Sequence, residues 1–268
     1  MKKCQITAQM YTLRDYIKNI KDFEDTCQKL SNIGFKSVQL SGWNTEIDIK
    51  EIKKIFDDNG LICDSTHHNS DDILYNPKKV IDNLNILGAS YEAYPYPSGK
   101  TFRTWNQVMD FCKDLNNAGK VFYENGKTLT YHNHHIEFVK VNGEIVLDMI
   151  YNNTDPKYLQ GEIDTYWVQQ GGQSVEAWTA KLKNRLPLFH MKDYGVAYKP
   201  NGELDAGFTA EIGQGNIDWP IVTKLAEESG AKWFIIEQDI CNRDPFDSLK
   251  ISYDYISNNL CEDWFLEK

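Results

Sequence analysis

Along the chain, hydrophobic positions switch between two spacings. Eight short segments carry the apolar runs or period-two alternation of buried strands. They are QITAQM (5–10), KSVQLS (36–41), LICDST (61–66), SYEAYPY (90–96), TLTYHNH (128–134), YLQGEID (158–164), LPLFHM (186–191) and KWFIIEQ (232–238). Between them, apolar residues recur every three or four positions. Residues 15–33, with Ile17, Ile20, Phe23, Cys27 and Leu30, predict an amphipathic helix, and 46–59, 77–88, 104–125, 173–184, 216–229 and 245–259 follow the same rule. Gly34, Gly60, Gly88 and Gly230 stand where helices would stop, and Pro220 stands in a first helical turn, where a missing N–H costs nothing. Strands alternating with helices imply a parallel sheet, and eight such units predict an α/β protein closed into a single (β/α)₈ barrel. No Pro/Gly/Ser-rich linker divides the chain, so one domain over 1–268 is expected. The only long irregular stretch is 192–215, which reads as a loop over the barrel mouth, with the length of a lid.

Composition narrows the picture modestly. A length of 268 residues suits one barrel, and 41% hydrophobic with 25% charged residues is ordinary for a globular chain. A formal net charge of −10 argues against a nucleic-acid surface, which would be basic. The six cysteines (Cys4, Cys27, Cys63, Cys112, Cys241 and Cys261) form no CxxC pair and read as free buried thiols in a reducing compartment. Met1-Lys2-Lys3 leads into no continuous apolar segment, and no run is long enough to span a membrane, so the expectation is a cytoplasmic protein without a membrane partner.

The candidate chemistry lies in the second half. YHNHHIEF (131–138), GEIDTYWV (161–168), LFHMKD (188–193) and WFIIEQD (233–239) are strand-like runs that reach Glu137, Asp164, His190 and Glu237. The intervals between those four are 27, 26 and 47 residues, close to one strand–helix–strand unit except the last, which contains the 192–215 loop. In a parallel barrel the strand C-termini share one face, where catalytic groups gather. Hard oxygen donors with one imidazole favour a divalent cation such as Mn²⁺, Mg²⁺ or Co²⁺ over a thiolate-seeking ion. A cation that polarises a ketone, with carboxylates to move the α-proton, is a device for enediolate chemistry on sugars.

With QMYTLRD near the start and EIGQGNIDW after the seventh strand, these motifs resemble the xylose isomerase-like barrel superfamily, the sugar phosphate isomerase/epimerase group that contains inosose dehydratase and tagatose 3-epimerase. The resemblance covers nearly the whole chain. It implies one bound divalent cation, Mn²⁺ first, with Mg²⁺, Co²⁺ or Zn²⁺ as alternatives, held by Glu, Asp, His and Glu from the last four strands. It makes Asp164, His190 and Glu237 ligands. In the tagatose 3-epimerase branch the fifth strand reads Glu-x-x-Asn-x-x-Glu. Tyr131 falls at its first position here, His134 at the Asn and Glu137 at the second Glu, while Trp167 stands in place of a His. The chain follows a YHNHxxEF…DxxW pattern instead, with Glu137 as the fourth ligand, and this departure points away from C3 epimerisation of a free ketose.

Several residues carry two readings. Glu237 and Glu137 are the proton-transfer carboxylates as well as ligands. Lys192 would neutralise the enediolate or bind an anionic group, against a plain salt bridge with Asp193. His67 is a substrate contact or a loop cap, and His134 a substrate contact or a support for one; His132 is an inner-barrel residue or a site residue. Arg14 would bind a phosphate or carboxylate, or cap its own neighbourhood through Asp15. Trp167 is a surface for stacking a sugar.

The expectation is therefore a metal-dependent sugar isomerase or epimerase acting on a sugar, keto-sugar or cyclitol, with a small carbohydrate as its partner. The same groups would serve a lyase acting on a keto-inositol or a 3-keto-glycoside. A catalytically silent barrel that binds a sugar or a protein is the alternative from another class. A nuclease would need more than six histidines and a basic groove. Homo-oligomer formation is compatible with the resemblance.

Overall fold

A computed structural model describes residues 5–261; Met1–Lys3 and Cys4 lie outside this range. Eight parallel strands close into a barrel in sequential order: β1 (Ile6–Gln9), β2 (Ser37–Ser41), β3 (Ile62–His67), β4 (Tyr91–Tyr94), β5 (Thr128–His132), β6 (Leu159–Asp164), β7 (Leu188–Met191) and β8 (Trp233–Ile236). Closure is made by β8 on β1, with Ile6 opposite Phe234 and Ala8 opposite Ile236. Each strand lies inside a predicted segment, save that β3 runs one residue further, to His67. The helices begin at side-chain caps, for example Asn19 accepting from the Asp22 N–H, and the capping box of Thr104 with Gln107 at the start of Trp105–Glu124. No helix among the described residues is long and apolar enough to cross a membrane.

The strands are buried on both faces, and the two faces differ in kind. Residues facing the helices are mostly apolar, such as Ile6, Ala8, Val38, Leu40, Ile163 and Phe189, with the hydrogen-bonded Thr66 and Glu92 as exceptions. The inner face is largely polar. Thr7, Ser37, Asp64 and Ser65 form one linked group, in which Ser37 Oγ donates to Asp64 Oδ1 at 2.6 Å and Ser65 Oγ to Oδ2 at 3.0 Å. Nearer the mouth, Gln39 Nε2 donates to Ser65 Oγ at 2.9 Å and to Glu162 Oε1 at 3.2 Å. Barrels of this class usually fill their interior with branched aliphatic residues; here hydrogen bonds replace much of that packing.

The sharpest departures from the expectations are two segments and two cysteines. The 192–215 stretch is mostly a β-hairpin, Asp193–Tyr198 paired antiparallel with Leu204–Ala210. Its alternation was obscured by Gly195, Gly202 and Gly207, and the register shifts between Gly195 and Val196. Between β5 and β6, a second hairpin, Lys140–Val141 with Glu144–Ile145, turns at Asn142–Gly143, both with positive φ, and leads into an unpredicted helix, Val146–Asn152. Finally, Cys27, Cys63 and Cys112 are buried thiols, but Cys241 and Cys261 are only half-buried.

Burial raises the Asp64 carboxyl from its ordinary range to about 7, against the lowering effect of its serine hydrogen bonds. A carboxyl whose folded pKa lies above its unfolded value binds protons more tightly in the fold. Its contribution is complete at low pH, is lost between about pH 4 and pH 7, and stays lost above. Asp64→Asn should therefore lose most stability relative to wild type at pH 5 and least at pH 8, the gap closing by a few kcal/mol at roughly 1.4 per pKa unit. Urea unfolding of both proteins at the two pH values checks this; a pH-independent gap would contradict it.

Candidate metal and substrate site

The ends of β5 to β8 bring four side chains together. His132, Asp164, His190 and Glu237, all buried, each offer one ligand atom within 4.8 Å of the others. Asp164 is placed by two bonds. Its N–H donates to Asn133 Oδ1 at 3.1 Å, and its Oδ1 caps the helix Thr165–Gln170 through the Trp167 N–H at 3.0 Å. That leaves Oδ2 facing the cluster, 3.3 Å from His132 Nε2. His132 Nδ1 faces the Pro95 carbonyl at 3.2 Å, so an N–H there leaves Nε2 as the lone-pair nitrogen. His190 Nδ1 lies 3.1 Å from Glu237 Oε2 and 3.8 Å from Asp164 Oδ2. Two carboxylates and two imidazoles within this span, screened from solvent, suit a divalent cation of the Mn²⁺ to Zn²⁺ range.

The Lys192 ammonium, 1% exposed, lies 3.0 Å from Asp164 Oδ2, 2.7 Å from Glu237 Oε2 and 2.8 Å from Asp239 Oδ2. Burial opposes its charge, but these carboxylates outweigh burial and hold its pKa well above the usual lysine value. Burial likewise works to raise Asp164 and Glu237, yet Lys192 and the imidazoles keep both below the ordinary carboxylate range. His190 runs the other way: burial lowers it, and Glu162 and Glu237 lift it to about 10. Asp239 is raised, by burial and then by the charge of Glu237.

A cavity of about 340 Å³ opens above these groups, walled by Tyr11, Ser41, His67, Tyr96, His132, His134, Lys192, Glu237 and Asp239. His134 is driven well below the usual histidine pKa, by burial and then by His132. Its Nδ1 and the Trp167 Nε1 are buried without a hydrogen-bond partner. A larger cavity of about 550 Å³, holding Trp43, His68, Asn69, Asp72 and Asn83, meets the first at His67.

The structure thus groups Asp164, His190, Glu237 and Lys192, with His67 and His134 on the wall. It places three other residues elsewhere. After His132 the chain enters a 3₁₀ turn, His135–Phe138, that carries Glu137 behind the barrel wall. There its carboxylate accepts from the Tyr131 hydroxyl and the His134 N–H, each at 2.8 Å, and burial raises it to about 7. His132, not Glu137, stands beside Asp164. Arg14 donates to the backbone carbonyls of Tyr11 (3.0 Å) and Asp239 (2.9 Å), bracing the loops after β1 and β8, while Asp15 pairs with Lys18. Trp167 packs behind the cavity against His134 and His135, with Lys192 Nζ 5.4 Å from its ring centre.

Two site residues were not singled out from the sequence: Glu162, two positions before Asp164 and therefore on the same inner face, and Asp239, two positions beyond Glu237. Period-two spacing was the available signal for both.

Lys192 does not pair with Asp193. The Asp193 carboxylate turns away and accepts from the N–H groups of Tyr194, Gly213, Gly215 and Ile217 and from Trp219 Nε1, at 2.7–3.3 Å. This clamp accounts for the GQGNIDW run.

A protein-family model described as xylose isomerase-like TIM barrel matches residues 27–251. The chain belongs to that family. Among curated proteins, inosose dehydratase of Salmonella agona is 28% identical over 139 residues, 48% of this chain and 45% of that protein; the match thus spans less than half of the relative. A sugar phosphate isomerase/epimerase from Parabacteroides distasonis superposes with TM-score 0.79 at 23% identity, covering 94% of this chain and 92% of that one. A family protein from Mycobacterium smegmatis in complex with magnesium gives 0.73 at 15% identity, covering 94% of each. At such identities the structural likenesses speak for the fold.

The Asp193 clamp predicts a sharp intolerance at Gly215, where a Cβ would run into the Asp193 carboxylate and the Tyr194 carbonyl. Gly215→Ala should lower the melting temperature by roughly 2–10 °C and speed proteolysis within 193–217. Unchanged melting and digestion would show that the clamp tolerates displacement.

Proposed function

We propose that this protein is a divalent-metal-dependent sugar isomerase or epimerase that moves a proton on the carbon next to a carbonyl. The observation that carries the reading is the buried Asp164, His190, Glu237 and His132 set with the Lys192 ammonium against it, under a cavity of sugar size. Those four side chains would hold the cation, His132 taking the place that Glu137 has in the sequence reading. When bound, a divalent cation supplies Lewis-acid polarisation of a sugar carbonyl and its neighbouring hydroxyl. The family resemblance puts Mn²⁺ first, with Mg²⁺, Co²⁺ or Zn²⁺ as alternatives, and the second imidazole of this set adds weight to Co²⁺ and Zn²⁺.

The protein's own groups divide the work. Glu237, kept ionised by Lys192, takes the α-proton. Lys192 faces the oxygen on which negative charge develops, in a site too buried for water to screen it. Asp239, whose pKa burial and the charge of Glu237 raise, stands at the cavity edge as the group that would return a proton to the product. His67, His134 and Tyr96 orient the hydroxyls, and the unpartnered His134 Nδ1 gives a substrate group something to bond.

A second reading is favoured by the adjoining cavity at His67, which leaves room for a departing group. The same proton abstraction would then end in elimination from a keto-inositol or a 3-keto-glycoside, and the partial match to inosose dehydratase supports it.

Elemental analysis should find one Mn, Co, Mg or Zn per chain, absent from an Asp164→Ala/His190→Ala double variant. A metal-free wild type that gains no stability from added Mn²⁺ would end the proposal. Glu237→Gln should retain the fold while turnover falls by roughly 10²–10⁴-fold. Incorporation of solvent deuterium into keto-sugars reads the chemistry, and loss of water or of an aglycone in the product would select the elimination.

A further inference from the structure

Glu162 lies inside the barrel, one turn of the pleat below Asp164, and is fully buried. Its Oε1 is 2.9 Å from His67 Nε2, 3.2 Å from Gln39 Nε2 and 2.5 Å from His190 Nε2, and its Oε2 accepts from Thr130 Oγ1 at 3.2 Å. His190 Nε2 is also 2.7 Å from Gln39 Oε1. Everything that faces His190 on this side is therefore an acceptor, and one of those acceptors is a carboxylate. On its other side, His190 Nδ1 points at Asp164 and Glu237. His67 stacks on the His190 ring at 5.4 Å and 6°, which fixes the plane of the imidazole.

An imidazole that binds a cation has given up one of its protons: it keeps one N–H, and the lone pair on its other nitrogen takes the metal. Resting on the metal-site reading above, we propose that Glu162 is a positioning residue. It holds the His190 proton on Nε2, so that Nδ1 presents its lone pair to the cation between Asp164, Glu237 and His132. It also orients the Gln39 amide, so that the Gln39 oxygen, not its NH₂, meets His190. The group His67, Glu162 and His190 is close enough to suggest a second cation site. Its members are already joined by hydrogen bonds, and we assign them to support of the one site above.

Glu162→Gln tests the assignment with almost no change of volume. A glutamine can turn its NH₂ toward His190 Nε2 and push the proton to Nδ1, where a ligand atom is needed. Calorimetric titration with Mn²⁺ should show one site in wild type and an affinity lower by about 10–100-fold in the variant, the usual cost of losing an outer partner of a ligand. Far-ultraviolet circular dichroism and melting of the metal-free proteins control for folding. Should the variant not fold, long-range ¹H–¹⁵N spectra of Zn²⁺-loaded wild type give an independent reading, with His190 protonated on Nε2. A proton on His190 Nδ1, equal Mn²⁺ affinity in wild type and Glu162→Gln, or two Mn²⁺ per chain with one lost in the variant would each overturn the inference alone. A wild type that binds no metal would overturn it together with the reading beneath it.

Discussion

A strand buried on both faces leaves its side chains nowhere to meet water, so every polar group inside the barrel must find a partner within it. This constraint governs the molecule. The chain places Thr7, Gln9, Ser37, Gln39, Asp64, Ser65, Thr130 and Glu162 on the inner face, and each is bonded across strands to the next. The mutual demand for partners fixes strand register more narrowly than aliphatic packing would, because a one-residue slip would strand several polar groups at once. It also gives the mouth of the barrel a rigid floor. His190 and His67 stand on that floor through Glu162, so the site inherits its geometry from the interior network.

Above the floor, strand ends and loops are tied to one another by side chains that serve two elements each. Asp164 closes a helix with one oxygen and faces the site with the other. Thr165 accepts from the Lys192 N–H and donates to its carbonyl, joining the ends of β6 and β7. Thr12 accepts from the Gln238 N–H and Arg14 donates to the Asp239 carbonyl, joining the loops after β1 and β8. Asp193 gathers five N–H groups and so fixes the return of the long excursion after β7. The side chains of the candidate site are thus carried on strand ends whose loops are braced, the kind of support that a precise site requires.

The strands could be read from the chain because most present apolar residues to the helices, β3 and β4 interrupting that face with the buried Thr66–Glu92 pair, and because glycines mark where several helices end. The hairpin after β7 could not, since three glycines and an exposed tip at Tyr198 break its alternation. Asp164, His190 and Glu237 could be read as a group because each closes a strand-like run. Glu137 looked equivalent in sequence, but the 3₁₀ turn that begins at His135 rotates it out of the strand's period and delivers it to Tyr131. His132 takes its position beside Asp164 because the strand itself continues through that residue. Glu162 and Asp239 escaped notice for a simpler reason: each sits two positions from a residue that had already claimed the motif.

The Lys192 ammonium also bears on how the chain closes its own core. Lodged among Asp164, Glu237 and Asp239, it acts as a covalently attached counter-ion for the acidic pocket. Three buried or half-buried carboxylates are thus neutralised by a charge that the chain carries with it, so their burial does not depend on an ion drawn from solution.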